Sequence, residues 1–298
     1  MIVNYPRMRR HRAAWPDDLD TALEFSSPNP FSISAPKNWD GKLEYTNGSE
    51  WKTWDGSAIA SGEIENNHCI YLRGIGNSKI TGTLSGIDAW NVAGANIACN
   101  GDIDLLLDYA TVKRGKRPTM AYACYSYMFQ GCTSLTTAPS LPAISLMNSC
   151  YSYMFQGCTS LTTAPSLPAI SLAGSCYSHM FQGCTSLTTA PSLPATTPKN
   201  YSYSNMFSGC TSLTVVPSLP ATTLANSCYY SMFQGCEKIK LSTTASGTYT
   251  KAYRIPKSGT GAISSQALDK MFANTGGTFK GTPEINTTYY LDESNTIV

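Results

Sequence analysis

The sequence predicts a mixed α/β repeat protein in which a small N-terminal β-sandwich precedes a solenoid with a parallel sheet. Three observations predict this fold class. The dipeptide Met-Phe recurs every 26 residues, at 128, 154, 180, 206 and 232, and a fixed period of this length is typical of repeat architectures. Each repeat joins an apolar stripe at helical spacing to a β-rich stretch bounded by prolines. The chain before the repeats alternates apolar and polar residues, as half-buried strands do.

The order of segments along the chain follows from these patterns. We predict an extended basic segment at 1–22, a β-sandwich at 23–90, a cap for the solenoid at 91–120, the repeats at 121–275 and a C-terminal cap at 276–298. Caps are expected because an open end of a repeat array would expose apolar core.

The first segment is basic but does not resemble an export signal. Arg7, Arg9, Arg10 and Arg12 lie close together, and Pro16 with several aspartates follows where a signal peptide would have an apolar run. We interpret the four arginines as candidates for attachment to a partner protein. Over the whole chain only 13% of residues are charged, with a net charge of +2, so a nucleic-acid partner is not expected. The chain also contains no apolar run long enough to span a membrane.

The segment at 23–90 has several short alternating stretches, with the tight-hairpin signal Asn47-Gly48 among them. Its aromatic cluster, Trp39, Trp51 and Trp54, could stack against a sugar. Because a small domain needs large residues in its core, we expect at least two of these rings to be buried there instead. The basic stretch at 113–118 could bind an anion, and we interpret it as a solvated loop.

One repeat has two parts. Cys124, Met128 and Cys132 are spaced i, i+4, i+8, which predicts one apolar face of a short helix that ends at Gly131. The following T-S-L-T-T-A-P predicts a short strand and a proline corner. Such a unit cannot bury its own apolar residues, so successive units are expected to stack. Stacking would align one column of apolar residues, Leu135, Leu161, Leu187, Leu213 and Ile239. A sixth Met-Phe at 271 follows after 39 residues, which predicts one further unit with an insertion between 242 and 261.

The cysteines follow the repeat as well. Nine of the eleven lie at fixed places in the units, with no CxxC pair and few histidines nearby. This placement favours free thiols that act as small buried hydrophobes over disulfides or a zinc site. We expect neither a metal nor a cofactor.

The run F-Q-G-C-T-S-L-T-T at 129–137 and its copies resemble the leucine-rich repeats of BspA-like bacterial surface proteins, whose usual unit reads approximately A-F-x-G-C-x-S-L-T-x-I-x-I-P. This sequence has Met before the Phe, proline after Thr-Thr-Ala, and a longer unit. It is similar to the Met-Phe variant found in gut bacteria and their phages. The resemblance implies a leucine-rich-repeat-like solenoid and a binding or adhesive role without a defined ligand.

The repeats contain few residues that could catalyse a reaction, so binding is expected instead. The candidate binding residues lie on the predicted strand face. From 121 to 236 the only charged residue is Lys199 and the only histidine is His179, so an enzyme is not expected. A row of threonine hydroxyls could bind sugars or protein, although threonine also suits a strand for its shape alone. These candidates are Thr136, Thr137, Thr162, Thr163, Thr188, Thr189 and Thr214. A second row, Tyr125 and its copies, is expected to pack between units.

Three functions are compatible with these features. The first is a phage virion component (a fibre, decoration or receptor-recognition protein) that binds a host-surface glycan or protein through the repeats. The second is a bacterial surface adhesin, and the third is a purely structural role in virion assembly. The partners would be other virion or surface proteins, and a homo-oligomer is compatible with all three.

Overall fold

A computed structural model of the chain describes residues 15–36, 39, 41–81, 89–258 and 262–298. The four arginines predicted to bind a partner, Arg7, Arg9, Arg10 and Arg12, lie outside the described residues. Their role stays a prediction.

Short strands dominate the chain before the repeats. They are β1 (Leu23–Ser27), β2 (Ser32–Ser34), β3 (Leu43–Thr46), β4 (Lys52–Trp54), β5 (Ile59–Ala60), β6 (Gly62–Ile64), β7 (Asn67–Gly74), β8 (Asn91–Ala93) and β9 (Ile97–Asn100). A 3-10 helix spans Leu19–Thr21, and the single α-helix of the described residues, α1, spans Leu105–Lys113.

Few strands occur in the repeats, and more follow them. They are β10 (Leu135–Thr137), β11 (Val215–Val216), β12 (Thr223–Leu224), β13 (Lys240–Ser242), β14 (Tyr249–Ile255), β15 (Ala262–Ile263), β16 (Gly276–Gly277), β17 (Thr287–Asp292) and β18 (Thr296–Ile297).

The N-terminal strands form a seven-stranded sheet, in the order β10-β9-β1-β7-β3-β4 with β6 beside β7, and a three-stranded sheet, β5-β2-β8. The larger sheet is mixed, because β10 from the first repeat pairs with β9 in parallel while the other pairs are antiparallel. Alternation fixes its register: Phe25 is buried opposite Ile70 and Cys99. This sheet therefore runs across the predicted boundaries at 90 and 120.

The aromatic cluster of this region is accounted for mainly by packing. Trp54 is buried, and Trp39 packs on it with ring centroids 5.1 Å apart. The guanidinium of Arg73 lies 3.8 Å from the ring centroid of Trp51 and bonds to the carboxylates of Asp18 and Glu44. These contacts join the Leu19–Thr21 helix to the sheet.

The predicted fold class is wrong. Strands make up 26% of the structure and helix only 4%, in several small mixed sheets, so the chain is not a mixed α/β repeat protein with a leucine-rich-repeat-like solenoid. The helix predicted over Cys124–Cys132 is a series of turns. Alternate residues there have left-handed backbone, with φ of 62° at both Tyr125 and Tyr127, and a right-handed helix cannot contain such residues.

The hydrogen bonds explain why the turns persist. The N–H of Ser126 donates to the carbonyl of Ala123 within the same unit (3.0 Å), whereas the N–H of Tyr127 donates to the carbonyl of Ser152 in the next unit (2.9 Å). This alternation between local and cross-unit bonds satisfies backbone groups that a helix would pair internally. The spacing i, i+4, i+8 suited a helix, but it also suits a backbone that alternates every second residue.

The predicted continuous parallel sheet is also absent from the described repeats. Beyond β10, parallel pairing is limited to isolated bridges, such as Thr163 with Thr189, and to two-residue pairs, β11 with β18, β12 with β15 and β13 with β16. The proline two residues after each Thr-Thr pair, such as Pro139, has no N–H to donate, which limits pairing to two or three residues.

Apolar columns, rather than strands, hold successive repeats together. The predicted column from Leu135 to Ile239 is buried throughout. The Phe rings of the Met-Phe pairs stack at centroid distances of 5.5–5.7 Å, from Phe129 to Phe272. Phe272 belongs to the sixth Met-Phe, so the last unit joins the same column. The predicted insertion before it contains β14, which pairs with β17.

In the described part of the chain, no helix is long and apolar enough to cross a membrane.

Candidate binding site

The structure brings the predicted threonine row together. Thr162, Thr188 and Thr214 follow one another along the repeats, with the N–H of Thr214 donating to the carbonyl of Thr188 at 3.0 Å. Thr162 and Thr188 are exposed, and Thr136 and Thr214 are half-buried. Their partners Thr137 and Thr163 are exposed, and Thr189 is half-buried.

Three hydroxyls of this row are already engaged. Thr136 Oγ1 donates to the carbonyl of Ile97 (3.1 Å), Thr188 Oγ1 to that of Thr162 (3.5 Å) and Thr214 Oγ1 to that of Thr188 (3.4 Å). Each of these hydroxyls donates its single proton to a neighbouring carbonyl and can still accept a hydrogen bond from a ligand. The row therefore has a structural use that needs no ligand.

The second predicted row is core. The rings of Tyr125, Tyr151, Tyr177, Tyr203 and Tyr229 are buried and stacked on one another at 5.6–6.1 Å. Packing between units is confirmed for these tyrosines.

The cysteines are also core. All eleven are free and buried, which confirms the predicted role as small hydrophobes. The second cysteine of a unit donates its S–H to a carbonyl of the unit before it, as Cys184 Sγ does to Phe155 (3.1 Å) and Cys210 Sγ to Phe181 (3.1 Å). Burial raises the pKa of Cys184 to about 12, so this thiol stays protonated and can keep the bond. Among the residues that the structure describes, no cluster of His, Cys, Asp or Glu could hold a metal.

A groove that the sequence analysis did not single out lies on another side of the repeats. Its volume is about 500 Å³. The residues that line it are Tyr127, Ser149, Ser152, Tyr153, Ser175, Ser178, His179, Tyr201, Ser204, Asn205 and Tyr230. They come from five successive units, so the groove runs along the direction in which the repeats follow one another.

A short column of rings forms one wall of the groove. Tyr127 stacks on Tyr153 at 4.5 Å and Tyr153 on His179 at 4.3 Å, in nearly parallel planes. The same position in the next two units is Asn205 and then Ser231. All five residues have left-handed backbone, with φ between 50° and 62°, so the backbone is alike while the side chain changes.

The charge of the groove is low. His179 Nδ1 lies 2.8 Å from the hydroxyl of Ser178, and burial lowers the pKa of the imidazole to about 4. The ring is therefore neutral at pH 7. The remaining lining residues are serines, tyrosines and one asparagine, so the walls offer neutral donors, acceptors and ring edges but no ionised group.

Some of the differences between the repeats lie at this groove. Residues 128–143, 154–169 and 180–195 are identical, and they include the exposed Thr162 and Thr163. Units differ at the position of Tyr127 (Tyr, Tyr, His, Asn) and at that of Ala123 (Ala, Ser, Ser, Tyr), and both positions contribute to the groove walls. Further differences lie outside the groove, at 144–148 and the equivalent positions 170–174 and 196–200.

A comparison of units shows the changes at the Tyr127 position but does not single out the groove, since other positions vary as well. His179 was noticed as a replacement of Tyr127 and Tyr153, but its location relative to the serines required the tertiary structure.

Comparisons with known proteins add no family to this description, since no family model, curated protein or solved structure matches the chain.

Proposed function

We propose that this chain is a non-enzymatic binding protein, carried on the surface of a phage particle, that holds a host-surface glycan or protein against its repeats. The observation that carries the proposal is a groove that crosses five successive units and combines stacked rings with serine hydroxyls. The buried column keeps tyrosine in all five units, whereas the position of Tyr127 on the groove wall changes to His179 and Asn205.

Two further features support binding over chemistry. The repeats from 121 to 236 contain a single charged residue, Lys199, and the groove has neutral walls. The groove is also concave and combines ring edges with many hydroxyls, which is typical of recognition sites. The assignment to a phage particle rests on the resemblance of the repeats to the Met-Phe variant of gut bacteria and their phages.

The test is binding of the labelled full-length chain to a panel of gut-bacterial strains, together with mass spectrometry of purified phage particles. Binding restricted to some strains, and presence in particles, is the expected result. Binding to no strain, or absence from particles, would contradict the proposal.

Variants on the threonine row locate the binding face. If the groove binds, Thr162→Lys and Thr188→Lys retain strain binding, as does the control Thr185→Lys at another exposed and constant position. Loss of binding in the first two alone would transfer the site to the threonine row.

A second candidate, assembly with other virion proteins, is favoured by one observation. Ile144, Met147 and Ile170 are 65%, 55% and 63% exposed, and the first and last occupy equivalent positions in adjacent units. Large apolar side chains at such exposure are typical of protein contacts. Ile144→Lys with Ile170→Lys should then remove the chain from particles but leave strain binding by the free protein unchanged.

A further inference from the structure

We infer that the groove binds a neutral saccharide, with one sugar ring seated beside His179 where the column of side-chain rings stops. This inference rests on the proposed binding function and specifies its ligand class and position.

The position follows from an interrupted column. Two stacked steps, Tyr127 on Tyr153 and Tyr153 on His179, are 4.5 and 4.3 Å long. The next residue in line is Asn205, whose side chain is shorter and turns back to Ser204, its Nδ2 donating to that hydroxyl at 3.0 Å. Within the described residues, no ring stacks on the second face of His179. The place that a fourth ring would fill therefore opens into the groove, with Tyr201 and Tyr230 lining the same region.

A flat group with apolar C–H faces fits such a place. The pyranose ring of a sugar has such faces and stacks on aromatic side chains, while its hydroxyls point outward in its plane. The seat beside His179 thus supplies a stacking surface on one side and polar groups around the rim.

Hydrogen-bonding capacity around the seat matches hydroxyl groups. Nε2 of His179 and the hydroxyls of Ser149 and Ser175 make no hydrogen bond to any described residue, and all three residues are half-buried at the groove wall. Ser178 and Ser152 donate to carbonyls of the following unit and keep lone pairs for a ligand.

The groove has no ionised lining residue among those described, and this favours an uncharged ligand. A uronic or sialic acid would lose hydration of its carboxylate without gaining a cation in return, because His179 is neutral at pH 7. A peptide ligand would need apolar anchor pockets, and the exposed aliphatic side chains Ile144, Met147 and Ile170 do not line this groove. The chemistry of the walls therefore favours a neutral sugar over an acidic sugar or a peptide.

The sequence itself supplies the test variant. Asn205→Tyr places at this position the residue that two earlier units have there, and the left-handed backbone at Asn205 (φ 54°) matches that of Tyr153 (φ 58°). The new ring would continue the column and fill the seat. Its folding is checked by thermal melting, which should be unchanged within error.

The experiment measures binding of the full chain to an array of neutral and acidic oligosaccharides, followed by titration calorimetry with the best neutral member. We expect binding to neutral members only, weakened about tenfold or more by Asn205→Tyr and by His179→Ala. Thr162→Val, on the threonine row, should bind like the wild type. Preference for acidic members, or full affinity in Asn205→Tyr, would overturn the inference.

A second arm separates this inference from the proposed function. Strains that bind the protein are treated with periodate, which destroys sugars with neighbouring hydroxyls, or with protease. Loss of binding after periodate alone supports the saccharide. Loss after protease alone, or strain binding unaffected by Asn205→Tyr, overturns the saccharide inference but leaves the proposed function standing. Binding to no strain in the untreated panel would defeat the proposed function itself.

Discussion

Two tyrosines of the same buried column should respond in opposite directions to loss of their hydroxyl. Tyr125 and Tyr151 are both fully buried and stack on one another at 5.7 Å. The hydroxyl of Tyr125 donates to the carbonyl of Ile103 at 3.0 Å and lies 3.4 Å from a carboxylate oxygen of Asp104. The hydroxyl of Tyr151 is buried and has no partner among the described residues. Replacement by Phe keeps the stacked rings in both cases and removes only the oxygen.

The expected magnitudes follow from these contacts. Tyr125→Phe loses one hydrogen bond, but the carbonyl of Ile103 also accepts from the N–H of Leu106 (3.0 Å) and is not left unpaired. The cost should therefore be about 1 kcal/mol. Tyr151→Phe removes a hydroxyl that has lost its hydration on burial and has gained no hydrogen bond in return. The variant should therefore be more stable by about 1 kcal/mol.

The assay is urea and thermal unfolding of the wild type and both variants. A difference of about 2 kcal/mol between the variants corresponds to about 4 °C in melting temperature for a chain of this size. If Tyr151→Phe destabilises the protein as much as Tyr125→Phe does, the hydroxyl of Tyr151 is hydrogen-bonded in solution and the reasoning is refuted.

Three further predictions concern the backbone, the thiols and the histidine. Gly183→Ala should lower the free energy of unfolding by about 1–2 kcal/mol, because φ is +73° there. The control Gly174→Ala, where the backbone is not left-handed, should lower it far less. Equal losses would exclude backbone strain as the cause. Iodoacetamide should label the native protein very slowly, since all eleven cysteines are buried in the fold, and should label all eleven in the guanidinium-unfolded chain. Rapid labelling of most thiols in the native state would contradict the buried columns. Burial lowers the pKa of His179 from 6.5 to about 4. As pH falls, the imidazole is therefore protonated in the unfolded chain before it is protonated in the fold. The wild type should lose about 1–2 kcal/mol of stability between pH 6.5 and 4 relative to His179→Tyr. Parallel pH profiles of unfolding for these two proteins would contradict the lowered pKa.

The repeat pattern predicted which side chains are buried better than it predicted backbone conformation. The Leu135 column and the cysteines are core because any arrangement that stacks identical units must align equivalent residues. The helix over Cys124–Cys132 was wrong because its spacing is shared by two backbones, and the left-handed residues at Tyr125 and Tyr127 carry ordinary side chains that give no sign of it. The parallel sheet was wrong because the weight given to the threonines ignored the nearby prolines.

The candidate site shows the same division. The threonine row was readable from the sequence as a row, and the structure added that the hydroxyls of Thr136, Thr188 and Thr214 already bond to neighbouring backbone carbonyls. The groove was not predicted, although the changes from Tyr153 to His179 and Asn205 were visible. Their significance depends on the serines that line the same groove, which only the folded backbone brings beside them.

By itself, the sequence determined the repeat length, the number of units, the buried columns and the scarcity of charge, because each follows from residue type at a fixed period. The tertiary structure alone decided the hydrogen-bond pattern of the turns, the mixed sheet that joins β9 to β10, and the groove beside His179. These depend on the sign of φ at alternate residues and on pairing between distant segments. A hydrophobic pattern constrains neither, since it records which residues avoid water and not the path by which the backbone brings them together.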